Sequence, residues 1–266
     1  MVATTREYIR GVGRGGEAGK PALIVSSILK LASIALDTAV VAVLSVATAA
    51  FDQRAAYHLC RQWAWLNLTL FGVRLRVRRL APLDPLSPYI FMSNHRSQTD
   101  ILAVVDALEE FQLRWVAKKE LTRIPLFGWA LRHTGHIIID RSDRQQSIAS
   151  LRAAENQMLE GISVVIFPEG TRSAPGQDLL PFKKGGFMLA LETEFPIVPL
   201  VIRGSREILP PGSWQIAGGE IEVIVGAPIA VRGLEREELM RRVERFMREH
   251  LGAKAGAERP TAAEAG

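Results

Sequence analysis

The sequence predicts an α/β protein: a mixed, partly parallel sheet flanked by helices, preceded by an N-terminal membrane-associated helical segment. Three observations carry this reading. Short apolar runs recur at 89–93, 114–117, 136–139, 163–167, 197–202 and 220–225, with helical patterns between most of them. Strands that alternate with helices build sheets that are at least partly parallel. Between Leu31 and Phe51 the only charged residue is Asp37. Finally, 266 residues suit one sizeable domain plus an appendage, enough chain to bury a substantial core.

Residues 1–20 are glycine-rich and basic and read as a flexible N-terminus. Gly11-x-Gly13-x-x-Gly16 formally matches a dinucleotide fingerprint, but the sequence pattern gives no strand before it. Residues 21–71 read as membrane-associated helices. The 31–51 run would measure roughly 30 Å at ~1.5 Å per residue, long enough to span. Its flanks are basic on both sides, with Arg6, Arg10, Arg14 and Lys20 before it and Arg54 and Arg61 after. The positive-inside tendency favours both ends on one side, as in a surface-lying or re-entrant helical pair. Spanning stays open as the alternative. Ala47-Thr48-Ala49 resembles a signal-peptide cleavage site, but the apolar run starts late and is long for that purpose. Over 54–71, Trp63, Trp65 and Phe71 suit an interfacial helix or core packing.

From Gly72 the pattern changes, and 72–251 reads as the α/β domain. Val73, Leu75 and Val77 alternate with Arg74, Arg76 and Arg78, the signature of a half-buried strand whose arginine face meets anionic lipid or solvent. Helical patterns follow at about 98–109, 143–160, 184–193 and 234–251. The last aligns Leu239, Val243, Phe246, Met247 and Leu251 on one face. Residues 252–266, rich in Ala, Gly and Glu, read as a disordered tail.

A formal charge of +5 with 48% hydrophobic residues suits a membrane surface. No nucleic-acid signature is present, and no nucleic-acid partner is expected. The single cysteine, Cys60, excludes an internal disulfide framework and reads as a small buried side chain.

Two strand-to-helix junctions carry the chemistry. Asn94-His95-Arg96-Ser97-Gln98-Thr99-Asp100 sets a histidine and a carboxylate five residues apart. On one continuous helix such positions point roughly 140° apart. His95 and Asp100 can therefore meet only if His95 precedes the helix and Asp100 lies in its first turns. An imidazole exchanges protons near neutral pH, and a carboxylate on its other nitrogen fixes tautomer and orientation. Ser97-x-x-Asp100 also fits a helix-capping pattern, in which Asp100 accepts only from a backbone amide. Both readings stay open on these residues alone. The second junction is Phe167-Pro168-Glu169-Gly170-Thr171-Arg172-Ser173. There Pro168 ends a buried strand, Gly170 permits a tight turn with exposed amides, and Arg172 offers a planar fork suited to phosphate. A plain strand-exit turn with a surface arginine is the simpler reading.

These blocks resemble the glycerolipid acyltransferase family, typified by 1-acyl-glycerol-3-phosphate acyltransferase. The Asn-His-x-x-x-x-Asp block is matched by Asn94 to Asp100, Gly-x-x-x-Ile-x-Arg by Gly135 to Arg141, and Phe-Pro-Glu-Gly-Thr-Arg-Ser by Phe167 to Ser173. An apolar run around a proline appears as Ile197-Val198-Pro199-Leu200-Val201-Ile202. Ala117 to Leu121 and Pro181 to Gly185 look like further family segments. All four blocks fall in order within about 90–205, and the ordered set is highly specific.

The resemblance implies direct acyl transfer. His95 would deprotonate a lysolipid hydroxyl while Asp100 holds the imidazole, and the oxygen would attack the thioester of acyl-CoA or acyl carrier protein. The chain has no Gly-x-Ser-x-Gly elbow, which agrees with the absence of an acyl-enzyme. Candidate substrate-binding residues are Glu169, Gly170, Thr171, Arg172, Lys118, Arg141 and Lys183. Expected partners are a lysophospholipid, the acyl thioester, the bilayer and acyl carrier protein. The expected location is a membrane, with the catalytic domain on the cytoplasmic face of a bacterial inner membrane. Other lysolipid acceptors, such as lyso-ornithine lipid, share the motifs, and a non-catalytic lipid-binding module is the alternative from another class. His133-x-x-His136 lacks cysteine or clustered carboxylates nearby, so no metal is expected, and no cofactor is implied.

Overall fold

Residues 6–10, 20–140, 144–174 and 176–252 are described by the structure, a computed structural model. Eight strands are assigned among them: β1 Arg6–Arg10, β2 Val73–Arg79, β3 Ile90–Ser93, β4 Leu113–Lys118, β5 Ile137–Ile139, β6 Ser163–Ile166, β7 Ile197–Arg203 and β8 Gly219–Val225. They form one mixed sheet in the order β1-β2-β8-β7-β3-β6-β4-β5. The run β7-β3-β6-β4-β5 is parallel throughout. β8 lies antiparallel to β7 and parallel to β2, and β1 closes the far edge antiparallel to β2.

The central strands are apolar on both faces, which is why they read as continuous runs rather than as alternation. Helices cover them: α3 Thr99–Ala107, α5 Arg144–Leu159, α6 Gly185–Thr193 and α8 Arg236–Gly252. Two apolar clusters result, one centred on Phe91, Val104, Leu113 and Val165, the other on Ile90, Met92, Val164, Phe187 and Val243. The sequence reading of strands and of these helices is reproduced to within about two residues. It misses β1, the short helices α4 Phe127–His133 and α7 Ser205–Ile208, and a 3-10 turn at Lys119–Arg123.

β1 falls within the stretch expected to be flexible. Its backbone completes the otherwise open edge of β2, in register Tyr8 to Val77. The remaining residues of 1–20, except Lys20, and the tail after 252 lie outside the described residues. The arginine face of β2 finds partners on its neighbour strand. Arg76 approaches Glu220 at 3.7 Å and Arg78 approaches Glu222 at 3.9 Å. The protein's own carboxylates therefore account for those two arginines without lipid.

The apolar N-terminal segment is two helices, α1 Lys20–Ala49 and α2 Gln53–Phe71. Asp52 caps α2 by accepting from the amides of Arg54 at 2.7 Å and Ala55 at 3.1 Å. Gly72 ends it with φ of 72°, a left-handed conformation that glycine adopts without strain. Residues Ile24–Ala49 are long and apolar enough to cross a membrane, by length and composition, with a mean hydropathy of 2.0. Yet α1 lies along the protein rather than leaving it. Ser27 Oγ accepts from Ile216 N at 3.0 Å, and Lys30 Nζ donates to Phe71 O at 3.2 Å. Further along, Asp37 accepts from Asn67 at 2.7 Å and Thr38 from Trp63 at 3.0 Å. The opposite face leaves Val25, Ile28, Leu29, Leu36, Val40, Val43 and Leu44 exposed. A stripe of that size on one helix is consistent with membrane association.

Candidate active site

Because β3, β4, β5, β6 and β7 are parallel, their carboxyl ends open on one edge of the sheet, where α/β sheets place their ligand sites. Asn94 to Arg96 follow β3, Phe167 to Ser173 follow β6, and Lys118 ends β4. Topology therefore gathers segments that are far apart in sequence.

At the first junction His95 precedes α3 and Asp100 lies in its first turn. His95 Nδ1 sits 2.8 Å from Asp100 Oδ2. That same oxygen accepts from the amides of Arg96 at 2.6 Å and Ser97 at 2.7 Å. Ser97 Oγ in turn accepts from Thr99 N at 3.2 Å. Asp100 thus makes both kinds of contact, with the backbone at the helix start and with the ring. Because Asp100 Oδ2 is the acceptor in the two amide contacts, the ring meets it as a third donor, so Nδ1 carries the hydrogen and Nε2 is left as the basic nitrogen.

The ring is fixed from its face as well. Phe167 stacks on it at 3.9 Å between centroids with 9° between planes, and Trp115 backs Phe167 at 5.4 Å. Asn94, wholly buried, uses its amide as a strand residue would, donating to Ile202 O at 2.9 Å and accepting from Ile202 N at 2.7 Å. This ties the end of β3 to β7.

Glu169 joins the two junctions. Its Oε1 accepts from His95 N and its Oε2 from Leu180 N, both at 2.8 Å. Burial pushes its carboxyl above the usual glutamate range, partly offset by those two amides. Glu169 is thus a brace for the histidine loop, not a partner for a cation. Gly170, with φ of 70°, makes the turn that returns its own amide to Phe167 O at 2.9 Å. Ser173 N then donates to His95 O at 2.9 Å, which brings Arg172 alongside the histidine backbone. Arg172 is half-exposed and makes no hydrogen bond or ion pair among the described residues.

Lys183 is tied in through its backbone, donating to Pro168 O at 2.7 Å, and its side chain is exposed. Lys118 is exposed at the same sheet edge. Thr171 is exposed beside Arg172. Arg141 lies outside the described residues. The two histidines of His133-x-x-His136 serve separate partners: His133 Nδ1 donates to Trp129 O at 2.8 Å, whereas His136 Nδ1 accepts from Trp115 N at 3.1 Å.

Sequence reasoning missed the roles of Asn94 and Phe167, and it missed Arg206 altogether. Arg206, on α7, donates to Ser173 O at 3.0 Å, Ser173 Oγ at 2.7 Å and Gln177 O at 3.1 Å, holding the far end of the second junction. Arg96 fastens the next stretch through Asp178 at 2.8 Å.

Residues 74–203 of this chain, just under half of it, match the acyltransferase family model, and that span holds every motif block named above. Among curated proteins the chain is 33% identical over 184 residues to the chloroplastic 1-acyl-sn-glycerol-3-phosphate acyltransferase BAT2 of Brassica napus, covering 67% of this chain and 52% of that protein. It is 32% identical over 171 residues to the human 1-acyl-sn-glycerol-3-phosphate acyltransferase alpha, covering 64% of this chain and 60% of that protein. Against the 1-acyl-sn-glycerol-3-phosphate acyltransferase of Helicobacter pylori (strain J99) it is 37% identical over 140 residues, covering 53% and 57%. The chain thus spans between half and about three fifths of the length of these relatives. The crystal structure of the 1-acyl-sn-glycerophosphate acyltransferase PlsC from Thermotoga maritima shares the fold, with a TM-score of 0.71 over 87% of this chain and 95% of that one, at 24% identity.

Proposed function

We propose that the protein transfers a fatty acyl group from an acyl thioester to the free hydroxyl of a lysolipid, with 1-acyl-glycerol-3-phosphate as acceptor and phosphatidic acid as product. The names of the relatives above support this acceptor. The single observation that carries the chemistry is the 2.8 Å contact between His95 Nδ1 and Asp100 Oδ2, which leaves Nε2 as the basic nitrogen.

In this mechanism Nε2 takes the proton of the acceptor hydroxyl as its oxygen attacks the thioester carbonyl. A carbon–oxygen bond forms, the carbon–sulfur bond breaks, and the proton passes from the imidazolium to the departing thiolate. No acyl-enzyme forms. Asp100 stabilises the transient imidazolium without itself taking up the proton. Arg172 receives the acceptor phosphate, with Lys118 and Lys183 adding positive potential at the same edge. Either coenzyme A or acyl carrier protein can carry the acyl group in this scheme.

The exposed stripe of α1 lies on the bilayer surface. Its docking from Ser27 to Thr38 along the domain supports attachment to one leaflet rather than crossing.

Membranes containing the protein should move a labelled acyl group from a thioester to lysophosphatidic acid, and His95→Ala should abolish this while the chain stays folded. Normal turnover by the alanine variant would overturn the assignment.

A further inference from the structure

A second feature lies well away from His95. Between α1, α2, α4 and the β4–β5 edge is a cavity of about 90 Å³. Its lining includes Gln53, Tyr57, Cys60, Arg114 and His136. Arg114 sits near the start of β4, four residues before Lys118. At ~3.3 Å per residue that is about 13 Å from the edge that carries the proposed chemistry.

Arg114 is 1% exposed, and its guanidinium has no carboxylate partner among the described residues. It donates only to carbonyls, to Leu113 O at 2.9 Å and Gln53 O at 3.4 Å, and its Nε is buried without a partner. Tyr57 is stacked under it, with the guanidinium carbon 5.7 Å from the ring centroid, and the Tyr57 hydroxyl is also buried without a partner. Neither neighbour can neutralise the charge. Burial pushes the Cys60 thiol up to about 11 and raises the Tyr57 hydroxyl well above its ordinary value. Burial, aided by the Arg114 charge, holds the His136 imidazole down to about 3, so it is neutral too. The acid that reaches Tyr57 electrostatically, Glu110, is committed to Arg79.

A buried cation with no counter-charge is costly, and surrounding donors that lack acceptors add to the cost. A bound anion removes both penalties at once. Water would satisfy the donors but not the charge. The volume admits only a few non-hydrogen atoms, which excludes phosphomonoesters with a substituent and leaves halides and the smallest carboxylates.

We propose that this cavity binds a small monovalent anion, of halide or acetate size, on Arg114 and Tyr57, and that the anion fastens the two-helix segment to the sheet. The site is independent of the acyl-transfer reading.

The test uses the full chain in detergent, with gluconate replaced by bromide at constant ionic strength. The melting temperature should rise by about 3 °C and saturate, as expected for a ligand bound to the folded state alone. In Arg114→Met the response should vanish. In Tyr57→Phe, which keeps the ring, half-saturation should need roughly tenfold more bromide for the loss of one hydrogen bond to an ion. An equal rise in Arg114→Met would mark a general salt effect and overturn the proposal. So would an unchanged midpoint in Tyr57→Phe, which decides the matter if the methionine variant does not fold. Crystals grown in bromide should show anomalous density within hydrogen-bond reach of Arg114, and a cavity without it would also overturn the site.

Discussion

Asn94 and Ile202 lie 108 residues apart in sequence and share two hydrogen bonds, one from each side of the Asn94 amide. The side chain thereby extends the sheet where β3 itself has ended, and it sets the start of the histidine loop. Replacing it with alanine leaves a buried donor and a buried acceptor of Ile202 unmatched, each costing about 1–3 kcal/mol. Asn94→Ala should therefore lower stability by about 2–4 kcal/mol in denaturant unfolding. It should also lower kcat, because the loop carrying His95 loses its tie to β7.

Glu169 predicts a pH effect. Its carboxyl holds a proton to higher pH in the folded chain than in the unfolded one, because burial disfavours its charge. The folded state then binds more protons across the window above the ordinary glutamate range, so this residue's contribution to stability falls as pH rises through that window. Glu169→Gln should flatten that slope. The same variant should lose activity at all pH values, since an amide cannot accept from both His95 N and Leu180 N. Thermal melts from pH 4 to pH 8 would check the sign.

Arg172→Ala should raise the acceptor KM for a phosphomonoester lysolipid by roughly tenfold or more, the size expected for one charge-assisted hydrogen bond. A neutral lysolipid should be affected far less. Equal effects on both would remove the phosphate assignment.

For the apolar face of α1, the triple substitution Leu36→Glu, Val40→Glu and Val43→Glu should move the protein from the membrane to the soluble fraction. These side chains are exposed, so the fold should hold and detergent-assayed turnover should survive. Persistence in the membrane pellet would show that other surfaces suffice.

The core strands were legible because burial on both faces demands unbroken apolar runs such as Val164-Val165-Ile166 and Ile197 to Ile202. The meeting of His95 with Asp100 was legible because only one arrangement of strand, loop and helix allows it. What stayed hidden depends on partners distant in the chain. Nothing near Arg76 or Arg78 says that β8 will bring Glu220 and Glu222 beside them. Asn94 is visible as a motif letter, while its bond to Ile202 exists only once β3 and β7 are adjacent. α4 follows Pro125 and begins after Leu126, whose φ is positive at 58°, with too few residues to display a period. Arg206 belongs to a helix of four residues, shorter than any pattern can reveal.

One oxygen, Asp100 Oδ2, holds the amides of Arg96 and Ser97 together with the imidazole. Local folding of α3 and alignment of the proposed base are therefore a single event. A nascent chain that has not wound that first turn has no aimed ring, so competence switches on with the tertiary structure and not before. The same economy makes position 100 intolerant of compromise, because any replacement that loosens the turn disarms the centre in the same stroke.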